Sequence, residues 1–142
     1  MPLPPHTEVY RALLRDSKPS IDNFRLRPQT EKRPAEDSLS IALTELKARD
    51  YLNCKGYAVL TVEGIEAIQG LTVQQKRQEL QPDPNNPDEE LLEVMGLPLA
   101  ADDPTRILDI AQALIRAVVR SESFPKPIKL EPPEQEIPAV QG

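Results

Sequence analysis

This sequence predicts an α+β fold: a small mixed or antiparallel sheet, two short helices and one long, largely buried C-terminal helix. Three observations carry the prediction. The chain holds 16 prolines in 142 residues, yet none falls in 35–81 or 105–124. Proline breaks both helices and sheet ladders, so regular structure should concentrate in those stretches. Apolar residues alternate in the first half of the chain, the period of a half-buried strand. After Pro104 they change to helical spacing. Strands and helices in this order indicate α+β rather than a bundle.

The elements follow in sequence. Val9-Tyr10-Arg11-Ala12-Leu13-Leu14 starts on a β-branched residue and is expected as a strand, with a short helix as the alternative. Phe24-Arg25-Leu26-Arg27 alternates strictly, which suggests a half-buried strand with both arginines on the wet face. Ser38 to Leu43 alternates likewise, with Leu39, Ile41 and Leu43 inward. Thr44 is a good N-cap for a helix running towards Asn53, and Gly56 is expected as the left-handed residue after it. Tyr57 to Val62 is the strongest strand, rich in β-branched and aromatic types. Glu63 to Gln69 reads as a short helix closed by Gly70. Leu71 to Val73 is a brief strand, and Leu91 to Met95 is another, entering a Gly96-Leu97-Pro98 turn.

The long helix is the clearest element. Asp102 or Asp103 can cap it, Pro104 suits its first position, and Thr105 to Arg120 follow. Ile107, Ile110, Ala111, Leu114 and Val118 form one stripe, which Leu108, Ile115 and Val119 widen. So apolar a helix should be buried on most sides or keep one face for a partner chain. The residues that would serve a partner are Ile107, Leu108, Leu114, Ile115 and Val119.

Proline and charge also divide the chain. Residues 1–7 are expected to be a flexible N-terminus, 8–121 a single domain, and 122–142 an extended, proline-rich tail. The net charge is −6. It is concentrated in 82–104, a proline-punctuated loop with seven acidic residues and no basic one. Such a loop repels nucleic acid and suits a basic partner. In the tail, Ile128-Lys129-Leu130-Glu131 matches a four-residue modification pattern of a kind that arises by chance.

Composition excludes several chemistries. One cysteine allows no disulfide framework and no cysteine-based zinc site. The one histidine, His6, lies in the proline-rich opening, a poor place to hold catalytic geometry. Cys54 stands beside Lys55 but has no ordered histidine as base, so a small, partly buried hydrophobe is the expectation. Asp83, Asn85 and Asp88 lack the glycine and the spacing of a calcium loop. No P-loop or dinucleotide fingerprint occurs. No cofactor or metal is therefore expected. No apolar run approaches the roughly 18 residues of a membrane span, and the start is unlike a signal peptide, so a cytoplasmic protein without a membrane partner is expected.

Three functions fit this reading. The first is a non-enzymatic protein that binds a protein partner or its own copy. The second is a small or degenerate enzyme handling a phosphorylated or nucleotide ligand, with Tyr10, Arg11, Arg25, Arg27 and Ser40 lining the site. The third rests on a local resemblance. Tyr51 to Ile68 resembles the closing part of winged-helix domains, where a strand ending in Leu-Thr-x-Glu-Gly leads into a helix, which implies DNA binding.

Over a longer span the chain resembles a group of small bacterial proteins of unknown function, common in cyanobacteria. The residues that carry the resemblance are Val9-Tyr10-Arg11-Ala12-Leu13, Ser38-Leu39-Ser40-Ile41, Gly56-Tyr57-Ala58-Val59-Leu60, Gly96-Leu97-Pro98 and Asp102-Asp103-Pro104. That group often has a histidine shortly before the Gly-Leu-Pro turn. Here the segment reads Asn86-Pro87-Asp88-Glu89-Glu90-Leu91-Leu92-Glu93. Any activity resting on that histidine is not implied for this chain.

Overall fold

The computed structural model describes residues 3–51 and 53–124. Six strands form one antiparallel sheet: β1 (Glu8–Ala12), β2 (Leu39–Ala42), β3 (Gly56–Thr61), β4 (Thr72–Gln75), β5 (Leu91–Met95) and β6 (Arg120–Ser123). Their spatial order is β4-β5-β2-β1-β3-β6. Three helices accompany them: α1 (Glu45–Arg49), α2 (Val62–Glu66) and α3 (Pro104–Ala117). The α+β class, the antiparallel sheet and the two short helices with one long one match the expectation.

Strand periodicity assigns the two faces. Val9, Leu39, Ile41, Leu60, Leu92 and Val94 point to one side and pack with Val62 and Ile65 of α2 and Ala111 and Leu114 of α3. Phe24 and Leu26 complete that layer. Ala12, Ala42, Tyr57 and Val59 point to the other side and pack against Ala48 of α1. The sheet thus sits between α2 and α3 on one face and α1 on the other. Each fully buried Leu, Ile or Val contributes roughly 1.5–3 kcal/mol.

The helix starts are those the sequence suggests. The Thr44 hydroxyl accepts from the Lys47 N–H, and the Asp103 carboxylate accepts from the Thr105 N–H, with Pro104 at the first turn. Other features differ. The chain turns left-handed after α1 at Asn53 (φ 63), not at Gly56. Gly56 lies in β3, where a Cβ would stand 2.2 Å from the Glu122 carbonyl oxygen. Its requirement is close approach of β6 rather than a positive φ. Gly96 answers to both needs, with φ +99 and a Cβ that would stand 1.9 Å from the Gly70 carbonyl oxygen.

Phe24 to Arg27 is not a strand. It follows the 3-10 turn Ile21–Asn23 as irregular chain. Its burial does alternate, Phe24 and Leu26 in and Arg25 out, but its backbone bonds a loop instead of a ladder. The Arg27 N–H donates to Glu36 Oε1 (2.6 Å), and the Arg27 carbonyl accepts from the Glu36 N–H (3.0 Å). Period-2 burial reports which side chains are covered, not which backbone groups are paired.

The long helix is less enclosed than its composition predicts. Ala111 and Leu114 are buried, whereas Leu108 is 41% and Val119 56% exposed. It also stops early, because the chain turns into β6: the Val119 N–H donates to the Val59 carbonyl (2.8 Å) and Arg120 pairs in register with Val59. The strand runs to Ser123, so regular structure extends into the stretch assigned above to the tail. Residues 125–142, which hold most of that expected tail and the Ile128–Glu131 pattern, lie outside the described residues. At the other end, Thr7 and Pro5 carbonyls accept from the Val62 and Glu63 N–H groups that open α2. Leu3 packs on the core.

One seam in the sheet is nearly unzipped. β1 and β3 share five register pairs, but β1 and β2 share only Tyr10 with Ala42. A side chain bridges that boundary, and a second organises the chain beyond β1. Arg11 Nε donates to the Asn23 carbonyl (2.8 Å) and its Nη1 to the Ser40 carbonyl of β2 (2.9 Å). The fully buried Asn23 amide oxygen accepts from the Leu14 and Arg15 N–H groups, and its nitrogen donates to the Asp16 and Lys18 carbonyls and the Ser20 hydroxyl. Asn23→Ala strands two backbone donors and two carbonyls at once. We expect a loss of about 2–4 kcal/mol, measured by urea unfolding, against less than about 1 kcal/mol for the peripheral Ser20→Ala. Equal, small losses for the two variants would refute this role for Asn23.

Candidate functional site

On the α1 side of the sheet, the helix covers β1, β2 and β3 and leaves the β5–β4 end to other groups. There a cleft of about 300 Å³ opens between α1 and the chain that runs from β4 to β5. Lys47, Asp50 and Tyr51 form one wall, Lys76, Pro82 and Asp88 the other, and Leu91 lies between them.

The second wall is rigidly built. The buried Gln81 side chain donates to the Lys76 carbonyl (3.1 Å) and the Asp88 carbonyl (3.4 Å) and accepts from the Asp88 N–H (3.0 Å). Two contacts fasten it to α1: Lys47 Nζ to Asp88 Oδ2 at 2.5 Å, and the Thr44 hydroxyl to Glu90 Oε1 at 3.2 Å. The ion pair lowers the Asp88 pKa and raises that of Lys47, the direct hydrogen bond being the main cause in each case. Lys76 reaches across β5 to β2, where its ammonium donates to the Ser40 hydroxyl (2.9 Å).

Beside the cleft lies a buried acid. Glu93 is fully buried on β5, opposite Ser40 of β2 and Gln74 of β4. Its Oε2 accepts from Gln74 Nε2 (2.8 Å), Arg77 Nε (2.9 Å) and the Arg77 N–H (3.2 Å). Arg77 also grips Asp37 through Nη2 (2.6 Å) and Nη1 (3.2 Å). Burial raises the Glu93 pKa, but the bonds from Arg77, Ser38 and Gln74 outweigh it and leave the carboxyl below its ordinary value. The two carboxylates hold the Arg77 guanidinium above its own ordinary value.

A third polar group lies across β3. The Tyr57 hydroxyl is 2.7 Å from Glu122 Oε1 and 3.1 Å from Glu45 Oε1, and both acids raise its pKa, Glu122 most. Tyr57 also packs edge-on against Tyr10 and Phe124, at 5.3 and 5.9 Å between ring centres. Arg120 spans from β6 to Glu8 of β1 through two bonds of 2.8 Å.

The residues proposed from sequence for an anionic ligand divide. Arg11 and Ser40 come together, but through the Ser40 carbonyl and as part of the β1–β2 seam. Desolvation lowers the Arg11 pKa, with Glu36 opposing. Arg25 is exposed and pairs with Asp22 at 2.7 Å, and Arg27 donates to the Pro34 carbonyl at 3.0 Å. Tyr10 is in the Tyr57 cluster on the opposite face from Arg11. The groove that Arg25 lines with Leu26, Pro28, Ala100 and Ile107 includes neither Arg11 nor Ser40. Of the partner-binding residues, Leu114 is a correction, since it is buried in the core. Ile107 and Ile115 are half-buried, and Leu108 and Val119 are exposed.

Other residues singled out in the sequence have the following contacts. His6 Nδ1 lies 2.7 Å from Glu63 Oε1 at an exposed position. The Cys54 thiol donates to the Gly56 carbonyl (3.1 Å) and packs beside the Tyr57 cluster. Upstream of β3 stand β2 and the five-residue α1, not a helix-turn-helix pair. Among the described residues no group of three or more His, Cys, Asp or Glu is placed to hold a metal. Nor is any described helix long and apolar enough to cross a membrane.

Sequence inspection missed Lys76, Lys47, Tyr51 and the Glu93 group. One signal was present. Glu93 is the sole polar residue in Leu91-Leu92-Glu93-Val94-Met95, and an acid inside an apolar strand requires a partner. No family model, no curated protein and no solved structure matches this chain.

Arg77→Met removes the cation from a carboxylate that stays buried. Breaking one side of a buried pair costs about 3–5 kcal/mol, and thermal unfolding will show it. Glu93 has a lowered folded-state pKa, so its contribution is present above the unfolded value of about 4.3 and is lost as pH falls through the folded value. Glu93→Gln should therefore flatten stability against pH below about 4.3. An unchanged acid limb in urea titrations excludes Glu93 as its source.

Proposed function

We propose that this chain is a non-enzymatic binding protein that docks another protein through the outer face of α3. The observation that carries the reading is the contrast between its polar and apolar surfaces. The groups that could do acid–base or nucleophilic work are engaged internally: Glu93 with Arg77, Lys47 with Asp88, Tyr57 with two glutamates, and Cys54 with a main-chain carbonyl. Catalysis needs such groups convergent and available to a substrate.

The apolar surface is less committed. Leu108 on α3 and Val119, just past its end where the chain turns into β6, are both exposed. Leu99 is 48% exposed in the turn before the helix. Ile107 lines a small groove with Leu26, Pro28, Ala100 and Arg25. Exposed apolar side chains gathered on one face mark interaction surfaces more often than chance scatter does. The partner is a protein with a complementary apolar strip, and bacterial origin of the cyanobacterial kind is part of the same proposal.

The nucleotide-handling reading has less support, because Arg11, Arg25 and Arg27 are each engaged within the chain, by main-chain carbonyls or by Asp22. The winged-helix reading lacks a recognition helix. We expect tagged wild-type chain to retain a specific protein from a lysate of its source, and Leu108→Asp with Val119→Asp to lose it at unchanged melting temperature. A strictly monomeric wild-type chain that retains nothing, or a double variant that retains the same partner, overturns the proposal.

A further inference from the structure

We propose that the cleft between α1 and the β4–β5 connection is a binding site for an organic carboxylate with a compact apolar body. It is separate from the α3 face, which lies across the sheet, and does not depend on it.

The cation comes first. Lys76 is half-buried, and its only side-chain partner is the Ser40 hydroxyl at 2.9 Å. No carboxylate pairs with it among the described residues, whereas Lys47, on the facing wall, is taken by Asp88. A lysine ammonium has three donors. One is spent on Ser40, and a hydroxyl brings no countercharge. Half-buried charge of this kind is stabilised by an anion that can leave the solvent with it.

The walls then select the anion. Pro82, Leu91, the Tyr51 ring and the lysine stems give the cleft apolar lining, and about 300 Å³ is the low end of the volumes that hold small ligands. Asp50 and Asp88 also line it. Their negative charge opposes a dianion such as a phosphate monoester, and a single carboxylate meets less repulsion. The fit is therefore one carboxylate on Lys76 with an apolar or aromatic group between Tyr51, Pro82 and Leu91. Gln81 and the Lys47–Asp88 pair hold the walls before any ligand arrives, which lowers the ordering cost of binding.

Two sources share this chemistry: a free small acid, and the C-terminal carboxylate of a polypeptide ending in an apolar residue. Calorimetric titration of the full chain with phenylacetate, phenylacetamide, benzyl phosphate, N-acetylglycylphenylalanine and its C-terminal amide separates them. Phenylacetate should bind, phenylacetamide and benzyl phosphate should bind at least tenfold more weakly, and Lys76→Met should weaken phenylacetate at least tenfold. Lys32→Met, at an exposed site far from the cleft in sequence, should leave the affinity unchanged. Folding of each variant is checked by its melting temperature, and chemical-shift changes of Tyr51 and Leu91 locate the ligand in the wild type. Tighter binding of the free-acid dipeptide than of phenylacetate, lost in its amide, supports the site and identifies a polypeptide terminus as the source. The reverse order supports it and identifies a small acid. No binding of either carboxylate, equal binding of phenylacetamide, tighter binding of benzyl phosphate, or shifts that miss Tyr51 and Leu91 overturn the proposal.

Discussion

The seam between β1 and β2 depends on Arg11, whose guanidinium bonds a β2 carbonyl beside the single register pair there. With one register pair at that boundary, the backbone alone would leave two three-stranded halves, β4-β5-β2 and β1-β3-β6. Three strands suffice for a unit only when a hydrophobic face is well covered. Here one apolar layer spans both halves, with Leu39, Ile41, Leu92 and Val94 from one and Val9, Ala58 and Leu60 from the other. Splitting the seam would expose that layer. Asn23 fastens the chain that leaves β1, and Arg11 reaches from β1 to the β2 carbonyl across the weakest boundary of the sheet. The seat of α3 follows from the same point, since the helix packs against the 3-10 turn that carries Asn23. A lowered Arg11 pKa belongs with this geometry: the guanidinium is desolvated to satisfy main-chain carbonyls, and it remains charged because its ordinary value lies so high.

Both sheet edges are guarded, which narrows how a partner can approach. The outward Val73 N–H of β4 is occupied by the Glu66 carboxylate of α2 at 2.9 Å. β6 has four residues, carries Arg120 and Glu122, and is followed by Pro125. Short, charged and capped edges resist strand addition. Docking by β-augmentation is therefore disfavoured at either end, which leaves the exposed apolar side chains: Leu99, Leu108 and Val119 at and around α3, Leu46 on α1 and Leu80 before β5.

Much of this architecture was legible because its signals are local. Thr44, Asp103 and Pro104 act on the nearest turn, and the alternation in β2 needs no knowledge of its neighbours. Seam chemistry was not legible. Asn23 sits in a stretch with ordinary turn composition, and its five hydrogen bonds depend on where β1 ends. Phe24 to Arg27 deceived for the same reason: the core dictates which side chains are covered, while Glu36, nine residues on, dictates where the backbone bonds. Gly56 was read as a helix stop because a glycine after a helix usually is one, but its neighbour is β6, more than sixty residues away. The cleft was invisible for a further reason. Lys47 and Lys76 are unremarkable residues until Gln81 folds the intervening chain and sets their walls face to face.

The acidic region shows how misleading a formal charge can be. Seven acids and no base between 82 and 104 suggest a solvated loop waiting for a basic partner. Most of those acids bond groups of the same chain, and three reach distant side chains: Asp88 to Lys47, Glu90 to Thr44 and Glu93 to Arg77. Their job is to bind the β4–β5 connection to α1 and to neutralise cations that the fold places nearby. What the acids leave uncompensated is then informative. After Lys47 and Arg77 have found carboxylates, Lys76 has only a hydroxyl, in a cleft whose two walls the Lys47–Asp88 pair ties together. A fold that spends acids on two of three neighbouring cations and leaves the third facing a cavity has the charge pattern of a site that receives its anion from outside.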